Sequence, residues 1–245
     1  MNIRDMAVAY KNASKRLLLL DYDGVLVPIM PTPEQAAPTE ATYDLLRRLT
    51  SDKRNVCVII SGRPRVDLER WFGDLPLSLA AEHGLWRKEQ SGNWVFAVDV
   101  ATDWKQPIRT LMDRYEGQLT GSFIEEKYAG LAFHYRGSQD AEASVRELTA
   151  QLQPLLADLS LKLIHGKKVV EVVPAGIDKG MAAQFWLAAD AWDFIAGAGD
   201  DTTDEALFKI LPPQAFSIKV GDGTTTARLK VPSQAAFVEL LLDMS

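Results

Sequence analysis

Arg16-Leu17-Leu18-Leu19-Leu20-Asp21-Tyr22-Asp23-Gly24 decides the fold, because four consecutive leucines run straight into two carboxylates one residue apart. An apolar run without polar alternation marks a strand buried on both faces, the signature of a central strand in a parallel sheet. Ligands of open α/β sheets bind in the crevice at the carboxyl ends of such strands. Asp21 and Asp23 stand at that end, where packing gives no reason for two acids. A second apolar run, Phe194-Ile195-Ala196-Gly197-Ala198, opens onto Gly199-Asp200-Asp201-Thr202-Thr203-Asp204-Glu205. If the two strands are parallel neighbours, Asp21, Asp200, Asp201 and Asp204 converge, and a hard cation must relieve their repulsion. Mg²⁺ fits, since it takes one or two carboxylates and completes its shell with waters and substrate oxygens.

Working outward, the spacing predicts a strand at 17–20, a helix at 40–50, a strand at 56–60, a helix at 65–72 and an apolar run at 77–81. This βαβαβ series, closed by right-handed crossovers, makes a doubly wound, Rossmann-like parallel sheet. From about Asp103 to Ala175 the rhythm changes. A helix at 104–118 precedes a hairpin over 123–136, and a helix at 141–156 precedes a second hairpin of 161–165 and 168–173, which together read as a compact α+β unit. The α/β rhythm then resumes with a helix at 179–188, strand 194–198, helix 204–211, strand 215–220 and helix 233–242. The expected organisation is a sheet domain from 1–102 and 176–245, interrupted by an α+β insert at 103–175 that covers the acidic crevice.

Of 245 residues, 47% are hydrophobic, enough for a large core. Twenty-seven basic against thirty-three acidic residues leave a net charge of -6, which argues against a nucleic-acid binder working by phosphate neutralisation. The lone Cys57 sits in the apolar run Val56-Cys57-Val58-Ile59-Ile60 and reads as a small buried hydrophobe. Met1 to Lys15 has no signal-peptide core and no uncharged apolar stretch nears 18 residues, so the expectation is a cytoplasmic protein with no membrane partner.

The residues at the strand ends supply the parts of phosphoryl transfer. Asp21 is placed to attack phosphorus and to ligate the metal, and Asp23 to protonate the leaving oxygen and later activate water. Asp21, the main-chain carbonyl of Asp23, and Asp200 form the expected Mg²⁺ set, with Asp204 fixing the loop and Asp201 open between ligand and outer support. Ser61-Gly62-Arg63 follows the second strand: Ser61 can hydrogen-bond a phosphoryl oxygen, Gly62 admits an anion close to the backbone, and Arg63 is counted with it as substrate-binding. Lys179, at a helix start, stabilises both the ester phosphate and an aspartyl-phosphate.

This ordered set resembles the haloacid dehalogenase-like phosphatases, whose four motifs correspond to Asp21-Tyr22-Asp23-Gly24, Ser61, Lys179 and Gly199-Asp200-Asp201-Thr202-Thr203-Asp204. Val25 departs from the Thr that many members carry, which removes a hydroxyl but no essential step. Over nearly its whole length the chain is similar to the trehalose-6-phosphate phosphatases, through Ile60-Ser61-Gly62-Arg63, Ala81-Glu82-His83-Gly84, Phe133-His134-Tyr135-Arg136, Val170 to Pro174, Asp178-Lys179-Gly180 and Gly199 to Glu205. The resemblance implies a mobile sugar-reading cap at the α+β insert, with Glu82 and His83 from the core and Lys127, Arg136, Lys168 and Glu171 from the cap touching a small sugar-phosphate substrate. It also implies a place beside a trehalose-phosphate synthase as the last step of trehalose formation. Other sugar phosphates stay open as substrates: sucrose 6-phosphate, glucosylglycerol phosphate and mannosyl-3-phosphoglycerate. So do a phospho-Asp receiver and a non-catalytic sugar-phosphate binder, although receivers are about half this length and lack the second acid.

Overall fold

The computed structural model describes residues 2–245. Up to Ala97 the chain forms α1 (Ile3–Asn12), β1 (Arg16–Leu20), α2 (Glu40–Ser51), β2 (Asn55–Ile60), α3 (Arg65–Phe72), β3 (Ser78–Ala81), β4 (Trp86–Lys88) and β5 (Val95–Phe96). Next come α4 (Lys105–Glu116), β6 (Phe123–Glu126), β7 (Leu131–His134), α5 (Glu142–Asp158), β8 (Leu161–Gly166) and β9 (Val169–Pro174). The chain ends with α6 (Lys179–Leu187), β10 (Phe194–Gly199), α7 (Glu205–Ile210), β11 (Phe216–Val220), β12 (Leu229–Val231) and α8 (Gln234–Met244). Two compact units result: the chain up to Ala97 with Asp178–Ser245, and Val98–Ile177.

The first unit is built on a sheet of order β12-β11-β10-β1-β2-β3-β4-β5. Every β1 residue is buried, and the strand sorts its leucines by pleat. Leu18 and Leu20 pack with Met6 and Tyr10 of α1, Leu45 and Leu46 of α2, Phe72 of α3 and Phe237 of α8. Leu17 and Leu19 turn the other way, onto Ala183 and Trp186 of α6 and Leu207 and Phe208 of α7. The doubly wound layering follows from that alternation. Parallel pairing sets Leu20 opposite Ala198 of β10 and Ile59 of β2, so the chain leaves β1 at Asp21 beside the ends of both neighbours. Cys57 is buried in β2, and burial pushes its thiol up to about 12.

The sequence reading omits three short strands and one helix. β4 and β5 extend the sheet in antiparallel fashion, so it is mixed rather than wholly parallel, and β12 adds a parallel strand at the other edge. These strands have two or three residues, too few to display a period. The α1 helix does carry a local signal, a capping box in which the Asn2 side chain accepts from Asp5 N–H while Asp5 accepts from Asn2 N–H.

The second unit is a four-stranded antiparallel sheet, order β6-β7-β9-β8, with α4 and α5 on one face. Leu131, Phe133, Val170 and Val172 point to the helices, where Ile108, Met112, Leu148 and Leu152 meet them. The register puts Glu125, Ala132, Glu171 and Ile164 in one row across the opposite face. No helix among the described residues is long and apolar enough to cross a membrane.

Candidate active site

At the carboxyl end of β1 the Asp21 amide donates to Ala198 O of β10 (3.0 Å), which locks the acid between two strands. Lys179 is the first residue of α6, whose start is fixed by the Asp178 side chain accepting from Met181 N–H. Its ammonium lies 2.8 Å from Asp21 Oδ1 and 2.7 Å from Asp204 Oδ1. Burial alone would lower the Lys179 pKa, but Asp204 and Asp21 outweigh it and hold the group firmly protonated. Burial pushes Asp21 well above the usual carboxylate range; Lys179 opposes that shift while Asp204 and Asp200 reinforce it.

Asp204 spends its other oxygen on the loop, where Oδ2 accepts from the amides of Asp200 and Asp201, both at 2.9 Å. Asp201 caps the 3₁₀ turn Thr202–Asp204, its Oδ1 accepting from Thr202 N–H at 2.6 Å. Asp21, Asp200 and Asp204 offer carboxylate oxygens within 4.8 Å of one another. Three buried carboxyl groups face one ammonium, and a divalent cation held among them would offset their mutual repulsion. Gly24 adopts φ +79°, and a Cβ there would lie 2.2 Å from Asp200 Oδ2, so the first motif is shaped around that carboxylate. An all-oxygen donor set of this kind fits a hard cation. The carboxylates that meet are Asp21, Asp200 and Asp204, whereas the Asp23 side chain, part of the expected metal residue set through its main chain, points to Arg63.

That contact is bidentate: Arg63 Nε donates to Asp23 Oδ2 (2.8 Å) and Nη2 to Oδ1 (2.7 Å), while Nη1 donates to Pro33 O (2.6 Å). The expectation set Arg63 on the substrate; in the structure its guanidinium is directed at Asp23 and the proline-rich loop. Ser61 Oγ accepts from Arg63 N–H at 3.1 Å, which leaves the hydroxyl proton to donate elsewhere. The Ser61-Gly62-Arg63 loop is braced by Glu82 and His83, whose amides donate to Arg63 O and Ser61 O. Both residues hold left-handed backbone, φ +48° and +60°, a conformation that costs about 1–3 kcal/mol per residue and clusters at functional sites. A Cβ on Gly62 would sit 2.7 Å from His83 Cε1, so a larger residue there would push the imidazole aside.

In the second unit, Lys127 Nζ lies 2.8 Å from Glu171 Oε1 and both side chains are buried. Glu125 accepts or shares the proton of His134 Nε2 at 2.9 Å on the same sheet face. Arg136 donates to Lys167 O, and Lys168 pairs with Glu142 while about half exposed. These two cations therefore have partners different from those of the Lys127–Glu171 pair. Sequence reasoning passed over Lys219, a buried lysine inside β11 that donates to Asp200 O (2.6 Å) and steadies the acidic turn. Its one signal is a cation within Phe216-Ser217-Ile218-Lys219-Val220. Glu125 was passed over as well, although it lies in β6 two residues before Lys127.

A profile of the family described as trehalose-phosphatase matches residues 19–238. A bifunctional trehalose-6-phosphate synthase/phosphatase of Thermoproteus tenax is 42% identical over 95% of this chain, which spans 32% of that protein's length. The chain thus spans about a third or less of the curated relatives it matches. The C-terminal domain of Candida albicans trehalose-6-phosphate phosphatase superposes with a TM-score of 0.93 at 26% identity, covering 100% of this chain and 96% of that one. A haloacid dehalogenase-like hydrolase from Bacteroides thetaiotaomicron shares the fold, with TM-score 0.68, 15% identity and coverage of 94% and 100%.

Proposed function

The chain belongs to the trehalose-phosphatase family, and from that premise we propose that it is a hydrolase of the haloacid dehalogenase-like kind that converts trehalose 6-phosphate to trehalose and inorganic phosphate. The observation that carries the reading is the buried meeting of Asp21, Asp200, Asp204 and Lys179 at the end of β1. Lys179 engages Asp21 Oδ1, which leaves Oδ2 to attack phosphorus. As the new Oδ2–P bond forms, the bond from phosphorus to the sugar oxygen breaks and Asp23 delivers a proton to that oxygen. Water then attacks the aspartyl-phosphate, Asp23 takes its proton, and phosphate leaves with Asp21 restored as the carboxylate and Asp23 as the carboxylic acid. Ser61 Oγ–H and the Lys179 ammonium donate to the phosphoryl oxygens. Mg²⁺, held by Asp21, Asp200 and the main-chain carbonyl of Asp23, would act as a Lewis acid toward the phosphoryl group.

The proposal assigns sugar recognition to Glu82 and His83 of the sheet unit and to Lys127, Arg136, Lys168 and Glu171 of the inserted α+β unit. A site built from paired polar groups rejects substrates that leave those groups unpaired. The name of the Thermoproteus tenax relative joins synthase and phosphatase, which supports functional pairing with a trehalose-phosphate synthase. Phosphate release from trehalose 6-phosphate, with and without Mg²⁺, tests the reading against sucrose 6-phosphate, glucosylglycerol phosphate and mannosyl-3-phosphoglycerate. The expected result is Mg²⁺-dependent release fastest from trehalose 6-phosphate. Faster release from another sugar reassigns the substrate, and release from none of them defeats the hydrolase reading.

A further inference from the structure

Arg63 is built into the sheet unit on every side. Its guanidinium lies 5.2 Å from the Trp71 ring centroid and 5.8 Å from that of Tyr22, its amide donates to Ser61 Oγ, and its carbonyl accepts from Glu82 N–H. Three of its five N–H groups go to Asp23 and to Pro33 O, and the side chain is 8% exposed against 31% for Asp23. A group that binds the phosphate of an incoming ester presents its donors outward, whereas this one turns them onto a neighbouring carboxylate. The fork fixes both the position and the plane of the Asp23 carboxyl, because a bidentate pair permits one relative orientation.

The geometry points to Arg63 as a positioning residue for proton delivery to the leaving group: it aims Asp23 at the bridging oxygen and does not itself hold the phosphate. The inference rests on the phosphomonoester reading above. In the step concerned, the Asp21 oxygen bonds to phosphorus, the phosphorus–sugar oxygen bond breaks, and the Asp23 carboxyl proton passes to the sugar oxygen. An alkoxide leaving group depends on that proton, whereas a nitrophenolate leaves without it. Losing the aim therefore harms sugar phosphates selectively.

The test compares kcat for trehalose 6-phosphate and p-nitrophenyl phosphate in the wild type, Arg63→Ala, Arg63→Lys, Asp23→Ala and the Asp23→Ala/Arg63→Ala double variant. General acid catalysis is worth roughly a hundredfold or more, so the ratio of sugar to aryl turnover should fall by about 30-fold or more in Arg63→Ala. The double variant should match Asp23→Ala within about threefold, since two residues acting through one carboxyl are not additive. Added guanidinium ion should raise the ratio in Arg63→Ala but not in Asp23→Ala. Parallel losses on both substrates, an unchanged ratio, or multiplicative losses in the double variant would overturn the assignment. If circular dichroism shows Arg63→Ala unfolded, Arg63→Lys decides: it keeps charge and bulk but not the fork, so its ratio must also fall. Wild-type turnover of the aryl ester without turnover of trehalose 6-phosphate would instead defeat the substrate reading, and the variants would be compared on whichever alkyl phosphate the wild type accepts.

Discussion

Lys179 occupies the first position of a helix, where aligned peptide dipoles disfavour a cation by about 0.3–1 kcal/mol. The contacts to Asp21 and Asp204 overcome that cost, and their removal exposes it. Lys179→Met should leave two buried carboxylates without their cation and destabilise the fold by roughly 3–5 kcal/mol in urea titrations. Asp21→Asn keeps the shape and deletes the proposed nucleophile. Its circular dichroism should match the wild type while phosphate release drops by about a thousandfold or more, and near-normal release would remove Asp21 from the reaction. Of the four acids expected to converge, Asp21, Asp200 and Asp204 meet beside Lys179, each standing where an apolar strand ends or a helix begins, whereas Asp201 is not among the clustered carboxylates. The Arg63–Asp23 fork was not legible in the sequence, since the partners lie 40 residues apart and nothing local distinguishes an arginine that binds substrate from one that binds an acid.

Elements with a long period were the readable ones. β1, β2 and β10 announce themselves through unbroken apolar runs, and α2 through Tyr43, Leu46 and Leu49 at helical spacing after Pro38 and Thr39. β4, β5 and β12 escaped because two or three residues carry no alternation, and their pairing is decided by the strand already beside them. In the inserted unit, β7 offers its fully buried Phe133 to α4 and α5. Phe133→Ala should cost about 3–5 kcal/mol, visible as earlier loss of amide protection in β6 to β9 than in β1 and β10. The opposite face carries a pH response. Burial would raise the Glu125 pKa, but the His134 hydrogen bond together with Lys127 lowers it on balance. A depressed carboxyl contributes stability above its unfolded value, near 4.3, and loses it as pH falls through the folded value. Acid titration of Glu125→Gln should therefore show a shallower decline below about pH 4.3 than the wild type shows.

At the scale of the molecule, a cation bound by the folded acidic cluster and not by the unfolded chain adds stability by mass action. At a Mg²⁺ concentration about 100 times its dissociation constant the gain is about 2.7 kcal/mol, a rise of several degrees in Tm. EDTA should reverse that rise and Asp200→Asn should abolish it; an equal Mg²⁺ effect in the variant would place the ion elsewhere. The sheet also has an order of assembly imposed by its stitching. β1 takes one neighbour from β2, early in the chain, and the other from β10, which begins at Phe194. During translation at roughly 5–20 residues per second, the interval between the two strands lasts on the order of ten to thirty seconds. Through that interval the four leucines of β1 border an unfilled edge, open to pairing with any passing strand. Nascent chains stalled before residue 194 should therefore be captured by chaperones that chains released with β10 in place no longer recruit.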